Sequence, residues 1–246
     1  MKLEICTGSY NSVLAALEGG AQRVELCSGL DEGGLTPSAG LIRAACRLQH
    51  IDKHVLIRPR SGDFLYTPEE KSIILDDIRM AREFGADGVV IGALTAEGEI
   101  DLPFVTDCVK TAQGLHVTFH RAFDLCASPL TALEQIKDAG CDRLLTSGQA
   151  ANAEQGIALL QLLVKKAGKD LIIMPGCGVT PLNARKILKS TGATEIHASA
   201  RSLVKSKMQF RILGVEMGKA DVDEYAIKET NRMVVEQIRK EIESLS

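Results

Sequence analysis

Residues 85–89 read Gly85-Ala86-Asp87-Gly88-Val89, and they join the end of a helical pattern to the start of a β-rich run. A glycine at such a point ends a helix, because it readily adopts the left-handed conformation that closes the last turn. Three other segments share this form: Gly20-Ala21-Gln22-Arg23-Val24, Gly140-Cys141-Asp142-Arg143-Leu144 and Gly192-Ala193-Thr194-Glu195-Ile196. The four copies precede every second predicted strand, so four repeats of two strand–helix units predict one closed barrel.

Eight short β-rich runs alternate with helical stretches along the chain. The predicted strands are 3–6, 23–27, 55–58, 88–91, 116–120, 143–147, 171–175 and 195–199. Regular alternation of strand and helix indicates a parallel sheet, and eight units are the number that closes a barrel. We therefore predict a single α/β domain over residues 1–246, a (β/α)8 TIM barrel. The alternative, an open doubly wound sheet, lacks a clear switch-point signature here.

Hydroxyl–proline pairs predict several helix starts, because the hydroxyl caps the helix and proline suits its first position. These pairs are Thr36-Pro37, Thr67-Pro68, Ser128-Pro129 and Thr180-Pro181, and Asp101-Leu102-Pro103 is a looser version. A last helix is predicted over residues 221–244, after a long irregular stretch at 201–220. Its expected inward face contains Ala226, Met233, Ile238 and Ile242.

Composition excludes several classes of function. A net charge of −3 provides no basic field for nucleic acid or an anionic membrane. No run of about 18 apolar residues is present, so no membrane span is expected. The seven cysteines form no C-x-x-C pair, which is typical of reduced thiols. We expect a cytoplasmic protein without a nucleic-acid or membrane partner.

Polar side chains share one parity on several predicted strands, and the opposite parity is apolar. Because side chains alternate along a strand, this polar set is expected to face the barrel lumen. Its members are Glu4, Glu25, Arg58, His120 and His197. Arg58 is the expected partner of Glu4, Glu25 or both, since a buried carboxylate without a partner is costly. The set forms either a structural ion-pair network or a polar functional pocket.

Acid–base chemistry at the carboxyl ends of the strands is one interpretation of this set. Glu4, Glu25 and His197 would take part in it, together with His120. Asp124 follows His120 by four residues and would orient it as a general base, although the same spacing also occurs in a capped loop.

The loops after the strands offer a second kind of site, one for an anion. Arginines bind carboxylate or phosphate in bidentate fashion, and glycine amides near the last two strands of a TIM barrel often hold phosphate. The candidates are Arg58, Arg60, Ser147, Gly148, Gly176, Gly178 and Ser199. The glycines alternatively serve only to let the chain turn tightly.

Cys6 and Cys27 end neighbouring predicted strands with the same parity. Adjacent strands lie about 4.8 Å apart, so two thiolates there can hold a soft ion such as Cu(I). Most buried cysteines, however, are inert core residues.

Long motifs of the chain resemble the copper homeostasis protein CutC family. They are Glu4-Ile5-Cys6, Arg23-Val24-Glu25-Leu26-Cys27-Ser28-Gly29-Leu30, Glu32-Gly33-Gly34-Leu35-Thr36-Pro37-Ser38, Ile57-Arg58-Pro59-Arg60-Ser61-Gly62-Asp63-Phe64, Val117-Thr118-Phe119-His120-Arg121-Ala122-Phe123-Asp124, Leu145-Thr146-Ser147-Gly148 and Ala193-Thr194-Glu195-Ile196-His197. Ser61 and Cys177 depart from the pattern, since family members often have glycine there. The resemblance implies a cytoplasmic TIM barrel, a homodimer or higher homo-oligomer, with a role in copper tolerance or trafficking. Within that resemblance, Cys6 and Cys27 match cysteines proposed to bind Cu(I).

Three hypotheses about function remain open from the sequence. The first is a copper homeostasis protein that binds Cu(I) through Cys6 and Cys27. The second is a TIM-barrel enzyme that acts on a small anionic or phosphorylated metabolite, by a reaction that the sequence does not identify. Glu, Arg and His side chains around a barrel mouth suit such a ligand better than they suit Cu(I). The third is a barrel without catalytic activity that acts through its assembly.

Overall fold

The inner layer of the molecule is a sheet of eight parallel strands, as seen in a computed structural model that describes residues 1–212, 214–215, 223–243 and 245. The strands are β1 Lys2–Thr7, β2 Arg23–Leu26, β3 Asp52–Leu56, β4 Gly88–Ile91, β5 His116–Phe119, β6 Arg143–Thr146, β7 Ile172–Pro175 and β8 Glu195–Ala198. Ladder hydrogen bonds connect them in the order β7-β6-β5-β4-β3-β2-β1-β8. Strands β7 and β8 pack against each other, which brings the sheet close to closure. The predicted TIM-barrel fold is confirmed.

Helices alternate with these strands and form the outer layer. They are α1 Tyr10–Glu18, α2 Ala39–Cys46, α3 Pro68–Glu83, α4 Leu102–Ala112, α5 Pro129–Asp138, α6 Ile157–Ala167, α7 Ala184–Thr191 and α8 Arg232–Glu243. The apolar parity of the strands packs against the helices in one large core, which joins Ile5 and Val24 of the sheet to Val13 of α1 and Ile42 of α2. The opposite parity is left for the lumen, as the alternation of residues predicted.

Two of the predicted helix starts agree well with the structure. Thr67 caps α3 in a full capping box, in which its side chain accepts from the Glu70 amide and the Glu70 carboxylate accepts from the Thr67 amide. Asp101 caps α4 by accepting from the Phe104 amide. Ser128 precedes α5, although its side chain makes no capping hydrogen bond.

The other two hydroxyl–proline pairs were wrong as helix starts. Helix α2 begins after Ser38, because the Thr36 hydroxyl instead accepts a hydrogen bond from the Arg58 amide at 2.9 Å. Helix α7 begins at Ala184, since Asn183 Oδ1 accepts from the Thr180 amide at 2.8 Å and holds the preceding residues in a turn.

An antiparallel ribbon replaces part of the predicted last helix. Strand β9, Arg201–Lys205, pairs with β10, Ala226–Thr230, so the stretch after residue 200 is not wholly irregular. Ala226 therefore lies in a strand, because its backbone pairs with Lys205. Helix α8 buries Ile238 and Ile242 as expected, whereas Met233, in its first turn, is 67% exposed. Residues 221–222 and 244 of the predicted helix lie outside the described residues.

Ion pairs and hydrogen bonds attach this ribbon to the first two βα units. Asp31 accepts from Arg201 at 3.2 Å and from Lys228 at 2.9 Å. Glu229 accepts from the Ser9 hydroxyl at 2.5 Å. Arg201 is thereby held beside the carboxyl ends of β1 and β2. Across the described part of the chain, no helix has the length and apolar character needed to cross a bilayer.

Candidate functional site

A cavity of about 450 Å³ opens at the carboxyl ends of the strands. This is the end at which TIM barrels place their active sites. The lining residues are Cys6, Glu25, Cys27, Leu30, Gly33, Leu56, Arg58, Phe64, His120, Arg121, Leu145, Cys177, Gly178, Val179, Thr180, His197, Ala198, Ser199 and Arg201. Eight of these were predicted site residues: Cys6, Glu25, Cys27, Arg58, His120, Gly178, His197 and Ser199. A predicted polar pocket therefore exists, and it has enough room for a small metabolite.

Three adjacent strands form the most polar wall of the cavity. Strand β1 pairs with β2 on one side, where Cys6 lies opposite Glu25, and with β8 on the other, where Glu4 lies opposite His197. His197 Nε2 lies 2.8 Å from Glu25 Oε2, and both side chains are nearly buried. Burial lowers the pKa of His197, but the hydrogen bond and charge of Glu25, with the charge of Glu4, outweigh it and the net shift is upward.

Below this wall, a buried ion-pair network fills the lumen. Arg23 donates to both Glu4 and Glu195, and Arg143 donates to Glu195 at 2.9 Å. Burial lowers the pKa of Arg23, but Glu4 and Glu195 outweigh it and raise the pKa overall. Glu4 is fully buried in this network and is not among the cavity-lining residues. The ion-pair interpretation of the polar set is therefore confirmed for Glu4, and a functional role for the members that line the cavity stays a prediction.

Arg58 was wrongly expected to neutralise Glu4 or Glu25. Its guanidinium instead donates to three backbone carbonyls, those of Glu32 at 3.0 Å, Gly34 at 2.9 Å and Gly62 at 2.8 Å. These carbonyls belong to the loops after β2 and β3, so Arg58 connects the two loops. It also lies over the Phe64 ring, 5.0 Å from the centroid, while its buried Nε atom has no hydrogen-bond partner in the described structure.

His120 lines the cavity as a neutral imidazole. Its Nδ1 atom accepts a hydrogen bond from the Ala122 amide at 3.1 Å, and its buried Nε2 atom has no hydrogen-bond partner within the described residues. Burial and then the charge of Arg58 lower the pKa of His120 to about 4. The interpretation of Asp124 as its orienting partner was wrong, because the backbone amide of Ala122 occupies Nδ1.

Asp124 has a different set of partners, namely Arg121, which donates to it at 2.7 Å, and the end of β6 with the loop that follows. It accepts from the Thr146 hydroxyl at 2.5 Å, from the Ser147 amide and hydroxyl, and from the Gln149 amide at 3.1 Å. Asp124 and Ser147 are saturated by these bonds. Neither they nor Gly148 line the cavity, so the geometry indicates that they shape the loop.

Arg60 also lies away from the cavity. It pairs with Glu70 at 2.5 Å and with Asp63 at 3.1 Å, on the surface near the start of α3. The capping box of that helix fixes Glu70 in a position that attracts the guanidinium. The anion-site prediction required Arg58 and Arg60 to lie together, and the structure places them apart.

The loop after β7 approaches His197 very closely. A Cβ atom at Gly176 would lie 2.5 Å from Leu145 Cδ1 and 3.2 Å from His197 Cβ, so a larger residue there would force the Leu145 side chain to move. Cys177 has a φ of 79°, an unusual conformation for a residue with a side chain. The amides of Cys177, Gly178 and Val179 donate no hydrogen bond to any described residue. Gly178 and Ser199 line the cavity beside these free donors.

Cys6 and Cys27 share one apolar cluster with Leu56 and Val90 at the cavity wall. The register places Cys6 directly opposite Glu25, two residues before Cys27, so the thiols are diagonal neighbours and not directly opposed. Burial, followed by the charge of Glu25, raises the pKa of both thiols. They are therefore protonated at neutral pH when no metal is bound.

One group of side chains in the described structure has the spacing of metal ligands. Cys6, Glu25 and His197 each offer one ligand atom, and these atoms lie within 4.8 Å of one another. Cys27 is not part of this group. The cavity wall thus presents two overlapping donor sets, one of two thiols and one of mixed sulfur, nitrogen and oxygen.

Sequence reasoning missed Arg143 and Glu195 in the buried network. Each is the first residue of its strand and has the parity of the lumen residues: Glu195 precedes His197 by two positions, and Arg143 precedes Leu145 by two. The parity argument would have found both if it had been extended to β6 and to the start of β8. Phe64 comes from the loop after β3 and Arg201 is the first residue of β9, and neither carried a comparable signal.

Comparisons with known proteins agree over nearly the full length of the chain. The model of the CutC family matches residues 1–202. A Bacteroides thetaiotaomicron family protein CutC is 53% identical over 226 residues, 91% of each chain, and one from Chromobacterium violaceum is 49% identical over 241 residues, 98% of each chain.

Solved structures extend this likeness to the fold. The crystal structure of a candidate copper homeostasis protein CutC from Streptococcus agalactiae is 32% identical, with a TM-score of 0.76 over 80% of this chain and 97% of the other. Thiamine phosphate pyrophosphorylase from Pyrococcus furiosus, 18% identical with a TM-score of 0.61 over 99% of this chain and 96% of the other, shares the fold alone. The motifs, the family match and these relatives together show that the chain belongs to the CutC family.

Proposed function

We propose that this protein acts in copper homeostasis and binds Cu(I) at the cavity through the thiolates of Cys6 and Cys27. The structural relative from Streptococcus agalactiae is described in terms of copper homeostasis. The observation that carries the proposal for this chain is the burial of both thiols in one cluster on the cavity wall. Soft thiolates are the ligands that Cu(I) prefers, and neighbouring strands hold them rigidly.

Binding of Cu(I) to this pair requires the loss of two thiol protons, since only the thiolate is a metal ligand. Burial raises the pKa of both thiols, so bound Cu(I) must offset that penalty. We therefore expect the Cu(I) affinity to increase with pH through the neutral range. The diagonal register requires rotation of the cysteine side chains toward each other, and not movement of the strands.

The test is competition for Cu(I) against a chromophoric chelator under anaerobic, reducing conditions. Wild type is compared with Cys6→Ser and Cys27→Ser, and Cys46→Ser on α2 is the matched control because it removes a thiol outside the cavity. We expect one tightly bound equivalent in wild type and the control, and loss of tight binding in both cavity variants. Equal affinity in all four proteins would refute the assignment.

A second candidate function is favoured by the size and polarity of the cavity. About 450 Å³ greatly exceeds the needs of one copper ion. Among the described residues, buried Arg58 Nε and His120 Nε2 have no hydrogen-bond partner, and the amides of Cys177, Gly178 and Val179 donate no hydrogen bond. These groups support the alternative of a barrel enzyme for a small anionic or phosphorylated metabolite, with Glu25 and His197 in acid–base roles.

This alternative is tested by thermal unfolding in the presence of phosphate, sulfate and a panel of phosphorylated metabolites. A ligand that binds only the native state raises the melting temperature. Arg58→Lys would remove the Nε donor and weaken the shift, whereas Arg60→Lys, on the surface near α3, would preserve it. No shift with any compound would count against an anion site.

We further propose a cytoplasmic homo-oligomer. All seven cysteines are free, which suits a reducing compartment. The ribbon and the residues after β9 expose large apolar side chains: Leu203, Met208, Phe210, Ile212 and Ile227. Contiguous exposed apolar surface is typical of interfaces. Light scattering of the purified protein would report the mass directly, and a monomer at micromolar concentration would contradict the proposal.

A further inference from the structure

The cavity wall contains a second metal-ligand set, which shares Cys6 with the cysteine pair but does not include Cys27. Cys6 Sγ, a carboxylate oxygen of Glu25 and a ring nitrogen of His197 lie within 4.8 Å of one another. Each side chain comes from a different strand, β1, β2 or β8, and these three strands are adjacent in the sheet. Ligands on neighbouring strands are held more precisely than ligands on loops.

The chemistry of these donors favours a borderline divalent ion. Thiolate, imidazole and carboxylate are the ligands of Zn²⁺, whereas Cu(I) disfavours carboxylate. A tetrahedral Zn²⁺ site would place such ligand atoms about 3.3–3.6 Å apart. Only modest side-chain rotation is needed, since His197 Nε2 and Glu25 Oε2 start 2.8 Å apart and the whole group is confined within 4.8 Å.

Glu4 supplies a second, independent observation. It is fully buried, and its Oε1 atom has no hydrogen-bond partner in the described structure. Glu4 Oε1 lies 3.8 Å from His197 Nε2, while its other oxygen is held by Arg23. A buried carboxylate oxygen that has no hydrogen-bond partner among the described residues and lies near His197 Nε2 is expected beside a cation, because an unpaired buried acceptor is otherwise costly.

The cavity leaves one side of this group open. Catalytic zinc sites have three protein ligands and a fourth position for water or substrate. The fourth position here would face the cavity, whose lining also includes Arg58. Water or an oxygen of a small ligand would reach the metal from this side.

We propose that Cys6, Glu25 and His197 form a Zn²⁺-type site whose fourth position opens into the cavity and accepts water or an oxygen of a small anionic ligand. Cys6 binds as the thiolate, so its thiol proton leaves to solvent, and His197 binds as a neutral imidazole whose proton is on the ring nitrogen that does not face the metal. The site does not depend on the proposed Cu(I) function, because Cys27 is not one of its ligands.

The experiment is a Zn²⁺ titration of metal-free protein against a chromophoric chelator, without oxygen. Wild type is compared with Cys6→Ser, Glu25→Gln and His197→Gln, and Cys27→Ser is the matched control. We expect one equivalent of Zn²⁺, and a loss of affinity in the three ligand variants greater than the roughly 10–100-fold typical of an outer-shell partner. Cys27→Ser keeps wild-type Zn²⁺ affinity even if it abolishes Cu(I) binding, so failure of one site is distinguishable from failure of the other.

Co²⁺ gives a second readout that needs no variant. One equivalent added to wild type should produce the charge-transfer absorption of a Co²⁺–thiolate bond and the visible bands of a tetrahedral ion. A titration without a saturating Zn²⁺ equivalent, or a Co²⁺ spectrum without thiolate absorption, would overturn the proposal. So would Zn²⁺ affinity that survives in Glu25→Gln and His197→Gln.

Discussion

His197 Nε2 of β8 lies 2.8 Å from Glu25 Oε2 of β2, although the two strands are not neighbours. Strand β1 runs between them and contributes Cys6 opposite Glu25 and Glu4 opposite His197. The pair therefore spans β1 on the lumen side and separates the cavity from the buried ion pairs below. This contact is the link between the structural layer of the barrel and its candidate site.

Removal of this contact should have a pH-dependent effect. The folded-state pKa of His197 is raised, so its contribution to stability is fully present below the unfolded value of about 6.5 and is lost as the pH rises through the folded value. Glu25→Gln should therefore reduce the free energy of unfolding by about 1.5–3 kcal/mol at pH 5.5 and by less at pH 9. Urea denaturation at both pH values measures this, and Glu83→Gln on the surface of α3 is the control. A loss that grows with pH would contradict the assignment.

The buried imidazole of His120 predicts acid sensitivity. Its pKa is lowered to about 4 in the native state, so between about pH 6.5 and pH 4 this imidazole is protonated in the unfolded chain but not in the folded one. Stability should fall by up to about 3 kcal/mol between pH 7 and pH 4 on this account. His120→Asn keeps an acceptor for the Ala122 amide and should flatten that pH dependence.

The control for this experiment is His116→Asn, because the His116 side chain is 58% exposed. Its pH dependence should match that of wild type. An acid-induced loss of stability that is unchanged in His120→Asn would show that other groups cause it.

The lumen network predicts a large effect from a single substitution. Arg23→Met removes the partner of buried Glu4 and one partner of Glu195, and should cost about 3–5 kcal/mol of unfolding free energy. Arg79→Met, which breaks a surface pair with Asp76, should cost less than about 1 kcal/mol. Chemical denaturation measures the free energy of unfolding of both variants. Equal losses would mean that the buried network stabilises the fold no more than a surface ion pair does.

The close approach of β7 to β8 makes Gly176 a sensitive position. Gly176→Ala should cost about 1–3 kcal/mol, because the added methyl group would crowd Leu145 and His197. Gly40→Ala in α2 meets only Ser38 Oγ at 3.8 Å and should be neutral or stabilising by up to about 1 kcal/mol. Thermal melts give both values, and a Gly176→Ala protein as stable as wild type would exclude this crowding.

The fold was predictable because its signals are local and repeated. The Gly-small-strand motif and the alternating parity recur in every part of the barrel, so small errors such as the starts of α2 and α7 do not propagate. The C-terminal ribbon was missed because the pairing of Ala226 with Lys205 joins residues far apart in the sequence. No local pattern reports such a pairing.

The sequence predicted which residues line the site, but not which partners they contact. Parity placed Glu25, His120 and His197 at the cavity, but it could not identify their partners. Arg58 lines the cavity as expected, yet its guanidinium donates to the loop carbonyls of Gly34 and Gly62 and not to a lumen carboxylate. Which side chains meet in the lumen depends on the register between neighbouring strands. The register places Cys27 two residues beyond the position opposite Cys6, and the sequence of either strand alone does not determine it.

X-ray absorption at the copper edge tests the central claim most directly, because it identifies the atoms bound to the metal. Wild-type protein loaded with one equivalent of Cu(I) should show a first shell of two sulfur atoms, and Cys27→Ser should lose one of them. A first shell of nitrogen or oxygen in wild type, or a sulfur shell unchanged in Cys27→Ser, would contradict the assignment of Cys6 and Cys27 as the copper ligands.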